Sequence, residues 1–156
     1  MSRTTHERPP AGKVALVTGG SRGIGAVRGE ALGDPGASII LSASMVGSKG
    51  LATNTVCSAT KAAVRSFART LTTDLKERRI RVNAVSPGSI DTPGARDLLA
   101  SSGVGEKRKK MIAESVPLGR FGTPDEAAKA VVSLASDDST YITGTELFVD
   151  GGFAQV

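Results

Sequence analysis

Short apolar runs alternate with amphipathic stretches along this chain of 156 residues. The runs have the length of buried strands and end in glycine, proline or serine, whereas the amphipathic stretches repeat their apolar positions at helical spacing. Strands are predicted at Lys13–Thr18, Ala37–Leu41, Ile80–Val85 and Glu146–Val149, and helices at Gly23–Leu32, Val56–Lys76, one or two places within 95–114, and Thr123–Ala135. This alternation predicts an α/β fold, a mostly parallel sheet covered by helices.

The composition excludes several kinds of catalytic and metal-binding site. The single Cys57 excludes an intrachain disulfide and a multi-cysteine metal site, and the single His6 excludes a Ser-His-Asp triad and a histidine metal cluster. We therefore predict no metal site. Residues 1–11 are polar and predicted to form a disordered tail before one domain at 12–156. No apolar run is long enough to cross a bilayer and no secretory signal is recognisable, which predicts a cytoplasmic protein with no membrane partner.

The formal net charge of +5 raises the possibility of a nucleic-acid partner. Its local sources are Arg78, Arg79 and Arg81, followed by the basic run at 107–110. No aromatic residues lie among these charges to stack on bases. A solvated helix face is the better interpretation, and no nucleic-acid binding is predicted.

A glycine-rich turn separates the first predicted strand from the first predicted helix. The sequence TGGSRGIG supplies Thr18, Gly19, Ser21, Arg22, Gly23, Ile24 and Gly25. Such a turn lets backbone approach a pyrophosphate, which the helix N-terminus then faces, so these residues are candidate cofactor-binding groups. The alternative is an ordinary strand-to-helix turn, with Arg22 merely exposed. No acidic or basic residue follows at the end of a second strand to bind a ribose.

Three further motifs follow in order: Ser44 with CSATK at 57–61, NAVSPGSIDT at 83–92, and TGTELFVDGG near the C-terminus. Together with the glycine turn they closely resemble the short-chain dehydrogenase/reductase family, from about Lys13 to Gly152. The resemblance implies a Rossmann-like sheet with helices on both faces. It also implies an NAD(P)(H)-dependent oxidoreductase acting on a small carbonyl or alcohol. Arg22 favours NADP(H) over NAD(H).

The resemblance also implies the catalytic residues. In the family a tyrosine and a lysine lie one helical turn apart, and a serine lies thirteen residues before the tyrosine. Lys61 and Ser44 match the lysine and the serine, whereas Cys57 stands in place of the tyrosine. Lys61, Pro87, Gly88, Ile90 and Thr92 match the family's positions around the nicotinamide end of the cofactor. The family's supporting asparagine has no matching position.

A thiol at Cys57 is acidic enough for proton transfer, because thiols ordinarily ionise near pH 8.5 and phenols near pH 10. It is, however, several bond lengths shorter than a tyrosine side chain. Direct proton transfer requires heavy atoms about 2.6–3.2 Å apart, so we expect a bridging water and a large loss of rate. The alternative is that Cys57 is a small buried residue without chemistry.

Roughly three strand–helix units of the family have no counterpart here, about ninety residues at about thirty per unit. The junction is predicted near 31–36, and Lys13–Thr18 is expected to pair with Ala37–Leu41 to give a sheet of about four strands. Because parallel crossovers are right-handed in about 98% of cases, the first helix would have to change face; if it stayed on its original face, the new connection would be left-handed.

The absence of these units also affects which protein partners are expected. The helix Val56–Lys76 should expose apolar surface that a lost helix once covered, which predicts a homo-oligomer or association with a full-length relative. The helix Thr123–Ala135 and the strand Glu146–Val149 match a common subunit interface of the family. Three alternatives stay open: an active reductase or dehydrogenase, a non-catalytic remnant that binds another subunit, and a gene product that folds poorly.

Overall fold

The computed structural model describes residues 15–18, 36–101 and 105–156. The predicted tail, the glycine turn after Thr18 and the predicted helix Gly23–Leu32 lie outside these residues. Within them the strands are β1 (Ala15–Thr18), β2 (Ser38–Ser42), β3 (Arg81–Pro87) and β4 (Glu146–Val149), and the helices are α1 (Thr55–Asp74), α2 (Pro93–Ala100), α3 (Gly105–Ser115) and α4 (Pro124–Ala135). Short 3₁₀ turns lie at Met45–Gly47, Lys76–Arg78 and Asp137–Ser139.

All four strands run parallel, in the order β1-β2-β3-β4. Thr18 pairs with Leu41, Leu41 with Ala84, and Ala84 with Glu146. The α/β sheet is confirmed, and so is the predicted pairing of the first strand with the strand at Ala37–Leu41. Since β1 and β2 are hydrogen-bonded neighbours, no gap separates the first strand from the rest of the sheet.

The core forms two layers, one on each face of β2 and β3. Ile39 and Leu41 face α1 with Val82 and Ala84, and they meet Ala68 of the helix. The intervening Ile40 and Val85 face the other way, where they pack against Leu134, Val131 and Ala135 of α4 and Val149 of β4. Alternate side chains of a strand point to opposite faces, so helices on both faces require continuous apolar runs in the central strands.

The two complete crossovers have opposite hands. Both advance by one strand in the same direction, β2 to β3 through α1 and β3 to β4 through α4, yet the two helices cover opposite faces. The guanidinium of Arg81, at the start of β3, donates to the Leu134 carbonyl at 3.0 Å, so α4 does return to the amino edge of the sheet. One connection therefore departs from the usual right-handed rule. The handedness predicted for the first crossover concerns 19–35, outside the described residues.

Element boundaries differ from the sequence prediction by one or two residues. The helix predicted at Val56–Lys76 runs from Thr55 to Asp74, and a 3₁₀ turn follows that ends at Arg79 in the left-handed conformation (φ 54°). β3 continues through Pro87 rather than stopping before it. Proline is tolerated there because it is the last residue of the strand, and the next amide, Gly88 N–H, donates to the Val149 carbonyl. The stretch 95–114 contains parts of two helices, as predicted.

The start of α4 is held by a capping box, as the Thr-Pro-Asp-Glu sequence predicts. Thr123 Oγ1 accepts the Glu126 amide, and the Glu126 carboxylate accepts the Thr123 amide at 2.7 Å. Arg120 forms a two-pronged ion pair with the same carboxylate, at 2.9 and 2.6 Å. Hydrogen bonds from Arg120 and from the Thr123 backbone lower the pKa of Glu126 to about 2 from its ordinary value of 4.5.

Replacing Glu126 by Gln should lower the urea midpoint at pH 7, because only the ionised carboxylate holds Arg120 and the cap together. The folded-state pKa lies below the unfolded one, so the stabilisation is complete above about pH 4.5 and disappears as the pH falls towards 2. The difference in urea midpoint between the unchanged protein and Glu126→Gln should therefore become smaller as the pH falls over that range. The control is Glu77→Gln, at an exposed acid outside any cap. If the urea midpoints of the unchanged protein and Glu126→Gln differ by the same amount from pH 7 to 3, the ionised Glu126 carboxylate does not stabilise the cap.

Candidate active site

The candidate residues gather at the carboxyl edge of the sheet because all the strands are parallel. β1 ends at Thr18, β2 ends two residues before Ser44, and β3 ends at Pro87. Ligands of open α/β sheets bind outside this edge. Gly19, Ser21, Arg22, Gly23, Ile24 and Gly25 follow β1 directly, but they lie outside the described residues, so their predicted phosphate-binding role stays a prediction.

Ser44 begins the 3₁₀ turn Met45–Gly47. Its extended backbone (φ −166°, ψ 151°) suits a cap, and its Oγ accepts the Val46 amide at 3.5 Å. Its carbonyl accepts the Gly47 amide at 2.9 Å, and the side chain of Met45 is buried beneath. The half-buried hydroxyl is therefore held at the edge of the sheet, where the resemblance places the catalytic serine.

This turn packs directly on the backbone of α1. A Cβ at Gly47 would lie 3.0 Å from Lys61 C and 3.0 Å from Ala62 N. Real Cβ atoms rarely approach main-chain atoms so closely, and backbone in a helix cannot move aside as a flexible side chain can. Glycine at 47 thus allows the turn that carries Ser44 to touch the helix turn that carries Lys61.

Lys61 is fixed to the end of β2. Its Nζ donates to the Ser42 carbonyl at 3.0 Å, and the residue is half-buried. The lysine is therefore tied to a residue only two positions before Ser44. Two independent contacts, this hydrogen bond and the Gly47 packing, place the predicted serine and lysine in one region.

Cys57 lies in the first turn of α1, four residues before Lys61 and one helical turn away. It is exposed, and its thiol is free. The alternative prediction that Cys57 is buried is thus wrong. The neighbouring Thr60 hydroxyl donates to the Cys57 carbonyl at 2.8 Å.

The segment after β3 has structural roles that the sequence did not reveal. A Cβ at Gly88 would lie 2.7 Å from Asp150 Cα, so this position requires glycine for close packing. Ile90 bridges to Gly122, and Thr92 caps α2 by accepting the Ala95 amide at 3.2 Å. Each of these candidate cofactor residues is held by the fold itself. The Thr-Pro pair at 92–93 is the sequence signal that could have revealed the cap.

Two ion pairs join α2 and α3 to the loop that follows β3. Asp91 accepts Arg96 of α2 at 3.1 Å and Lys109 of α3 at 3.6 Å. The Lys109 ammonium also lies 5.7 Å from the centre of the Phe121 ring. Both helices, α2 and α3, are therefore joined to one carboxylate close to the end of β3.

A cleft of about 730 Å³ lies beyond the carboxyl end of β4. Its lining includes Ser89, Leu118 and Phe148, and it does not include Ser44, Cys57 or Lys61. A smaller apolar cavity of about 170 Å³ lies between α4 and the ends of β2 and β3, beside Ser42 and Pro87. The candidate catalytic residues thus line neither cavity.

Neither a metal centre nor a membrane span is evident in the part of the chain that the structure describes. Nowhere in that part do three histidine, cysteine, aspartate or glutamate side chains gather as metal ligands would. No helix there combines the length and apolar character that a bilayer crossing requires.

Comparison with known proteins agrees with the fold. A family model described as enoyl-(acyl carrier protein) reductase matches residues 20–154. The 3-oxoacyl-[acyl-carrier-protein] reductase FabG of Thermotoga maritima is 42% identical over 115 residues, which are 74% of this chain and 44% of that protein. The chain belongs to the short-chain dehydrogenase/reductase family.

Solved structures of the family match at similar coverage. A short-chain dehydrogenase family protein from Francisella tularensis aligns with a TM-score of 0.74 and 31% identity, over 79% of this chain and 53% of that one. L-sorbose reductase from Gluconobacter frateurii, complexed with NADPH and L-sorbose, aligns with a TM-score of 0.74 and 33% identity, over 78% and 49%. The chain spans less than half the length of the curated relatives it matches, which is consistent with the predicted shortening.

Replacing Gly47 by Ala should destabilise the protein by about 1–3 kcal/mol, the usual range for forcing an extra methyl group into a filled space. The new Cβ would push the Ser44 turn away from α1. Gly50→Ala is a matched control, because a Cβ there meets nothing within 4 Å. Urea unfolding measures both, and equal midpoints for the two variants would show that the close approach does not exist in solution.

Proposed function

We propose that this chain is an NAD(P)(H)-dependent oxidoreductase by lineage, specific for a small carbonyl or alcohol, in which catalysis is impaired. One observation carries the proposal: Gly47 and the Lys61–Ser42 hydrogen bond bring the serine and the lysine of the family's site together, while an exposed cysteine occupies the position of the proton donor. The relatives named as reductases and dehydrogenases support the reaction class.

Each of the three residues would keep the role that its position implies. The Ser44 hydroxyl would hold the substrate oxygen by a hydrogen bond, and the Cys57 thiol would exchange a proton with that oxygen. Lys61, held by the Ser42 carbonyl, would bind the nicotinamide end of the cofactor. A bound nicotinamide would supply or accept the hydride.

Impairment follows from the geometry of Cys57. The thiol ends close to the helix backbone, whereas a phenol would carry its oxygen past the helix surface to the edge of the sheet. Because Cys57 is exposed, a water molecule can bridge the gap between the thiol and the substrate oxygen. The proton then passes through that water, which must be held in an ordered position in a solvated site. General acid–base catalysis contributes about 10²–10⁴-fold in typical enzymes, so losing its alignment costs a rate factor of this order.

The cofactor would lie along the carboxyl edge of the sheet. The described residues that would hold it are Lys61 and the segment from Pro87 to Thr92, and the residues of the glycine turn would hold its phosphates. The pairing of β1 with β2 puts Thr18, the last residue of β1, one strand spacing, about 4.8 Å, from the strand that leads to Ser44. We propose NADP(H) over NAD(H), supported by Arg22 and by the NADPH complex of the L-sorbose reductase.

Cofactor binding should be visible as thermal stabilisation. For a Kd of about 10 μM, 1 mM NADPH adds about 2.7 kcal/mol to the free energy of unfolding, because it binds the folded state alone. For a chain of this length that corresponds to a rise in Tm of about 5–10 °C. The measurement is a thermal melt with NADPH, with NADH and with adenosine as a control, and we expect the largest rise with NADPH.

An unchanged Tm at 1 mM NADPH would reject the enzyme and favour the second candidate, a subunit-interaction module. Several apolar side chains that lie on or near α4 and β4 are exposed, which supports this candidate: Val132, Tyr141, Ile142 and Leu147. Phe67 and Val56 are exposed on α1 as well. Co-purification with a full-length family member, in the absence of any NADPH effect, would be the positive evidence for the second candidate.

Replacing Cys57 by Tyr should raise kcat/KM for carbonyl reduction by about 100-fold, because the phenol restores the reach of the proton donor. Cys57→Phe is the matched control, since it adds the ring without the hydroxyl and should leave the rate low. NADPH oxidation at 340 nm with a panel of small ketones and sugars measures both. Equal rates for the unchanged protein and the tyrosine variant would show that thiol reach is not limiting.

A further inference from the structure

The carboxylate of Glu146, the first residue of β4, is a point where several elements of the fold meet. Its side chain is only 8% exposed, and it lies on the face of the sheet that α1 covers. It accepts Ser86 Oγ of β3 at 2.7 Å, Ser48 Oγ at 3.3 and 3.2 Å, and Arg65 Nε of α1 at 2.7 Å. A buried carboxylate requires such partners, because an unpaired charge is costly to remove from water.

Two of these partners lie just beyond the candidate catalytic residues. Ser48 follows the turn that Ser44 begins, and its amide donates to Met45 O at 3.0 Å to close that turn. Arg65 lies one helical turn after Lys61 and therefore on the same face of α1. A single carboxylate thus holds both the turn that carries Ser44 and the helix face that carries Lys61.

The C-terminal residues strengthen the same attachment. Lys49, next to Ser48, donates to the Phe153 and Val156 carbonyls, and its ammonium lies 4.5 Å from the centre of the Phe153 ring. The chain after Ser44 is therefore bound at two adjacent positions to the last eleven residues of the protein.

We propose that Glu146 is a positioning residue for the candidate active site: by binding Ser48 and Arg65 together, it fixes the Ser44 turn relative to Lys61. It touches neither substrate nor cofactor, and it acts through the two segments that it joins. The catalytic consequence rests on the proposed function, whereas the positioning itself does not.

Glutamine at 146 tests the proposal with little change of shape. A carboxylate accepts hydrogen bonds on both oxygens, whereas an amide offers one accepting oxygen and one donating NH₂. The amide can keep its oxygen on Arg65 while its NH₂ donates to a serine hydroxyl, which can accept, but it is neutral and loses the charge-assisted bond to Arg65. Glu146→Gln should therefore loosen the attachment of Arg65 and Ser48 while the fold remains, and Glu146→Asp, which keeps the charge, should retain part of that attachment. Glu77→Gln is the matched control at an exposed acid.

The first readout is independent of any activity. By NMR, the Arg65 Nε–H signal should exchange with water at least about tenfold faster in Glu146→Gln, and so should the amides of Gly47, Ser48 and Lys49, because their turn is held less firmly. The β3 amides should change by less than twofold. The proposal would be overturned if the amides of residues 47–49 exchanged no faster in Glu146→Gln than in Glu77→Gln. It would also be overturned if exchange rates rose uniformly across the whole sheet, because that result indicates a merely structural role.

The second readout uses Cys57→Tyr as the background. Glu146→Gln should lower kcat by about tenfold or more while KM for NADPH changes by less than twofold, because cofactor contacts are left in place. An unchanged kcat, or a loss confined to KM, would overturn the proposal. Should Cys57→Tyr itself be inactive, the proposed function fails, and the exchange measurement still decides whether Glu146 positions the turn.

Discussion

The burial of β2 and β3 on both faces is the constraint on which the rest of the structure depends. Ile39 and Leu41 pack towards α1 while Ile40, between them, packs towards α4. A strand with this pattern cannot shift by one residue without exchanging its two faces, so its register with its neighbours is fixed. The register in turn fixes where each strand ends, and the candidate site is assembled from residues that follow those ends.

The sequence predicted the strands and helices of the described region well, because each has a clear apolar period and a clear signal at its end. The capping box of α4 and the last strand are examples. The resemblance to known proteins pointed to Ser44, Cys57 and Lys61, since their spacing is a property of one helix and one loop. Pattern reasoning alone does not show that Cys57 is exposed, because exposure depends on which distant segments of the chain pack against a side chain.

Long-range polar contacts were the part that could not be predicted. The partners of Glu146 are separated from it by up to about a hundred positions, and nothing in the local sequence of β4 distinguishes this acid from a surface residue. The same holds for Gly47 and Gly88, which look like ordinary loop glycines. Their importance comes from backbone that approaches them from elsewhere, at Lys61 and at Asp150.

The unequal lengths of the two crossovers have a consequence for the order of assembly. The unit β2–α1–β3 closes a shorter loop than the connection that brings β4 to β3, and the entropy of closing a loop rises with its length. β4 also has fewer buried side chains than the two central strands. The Ser44 turn is thus completed by the strand that arrives through the longer of the two crossovers, so the candidate site depends on a strand that is less buried than the two central ones.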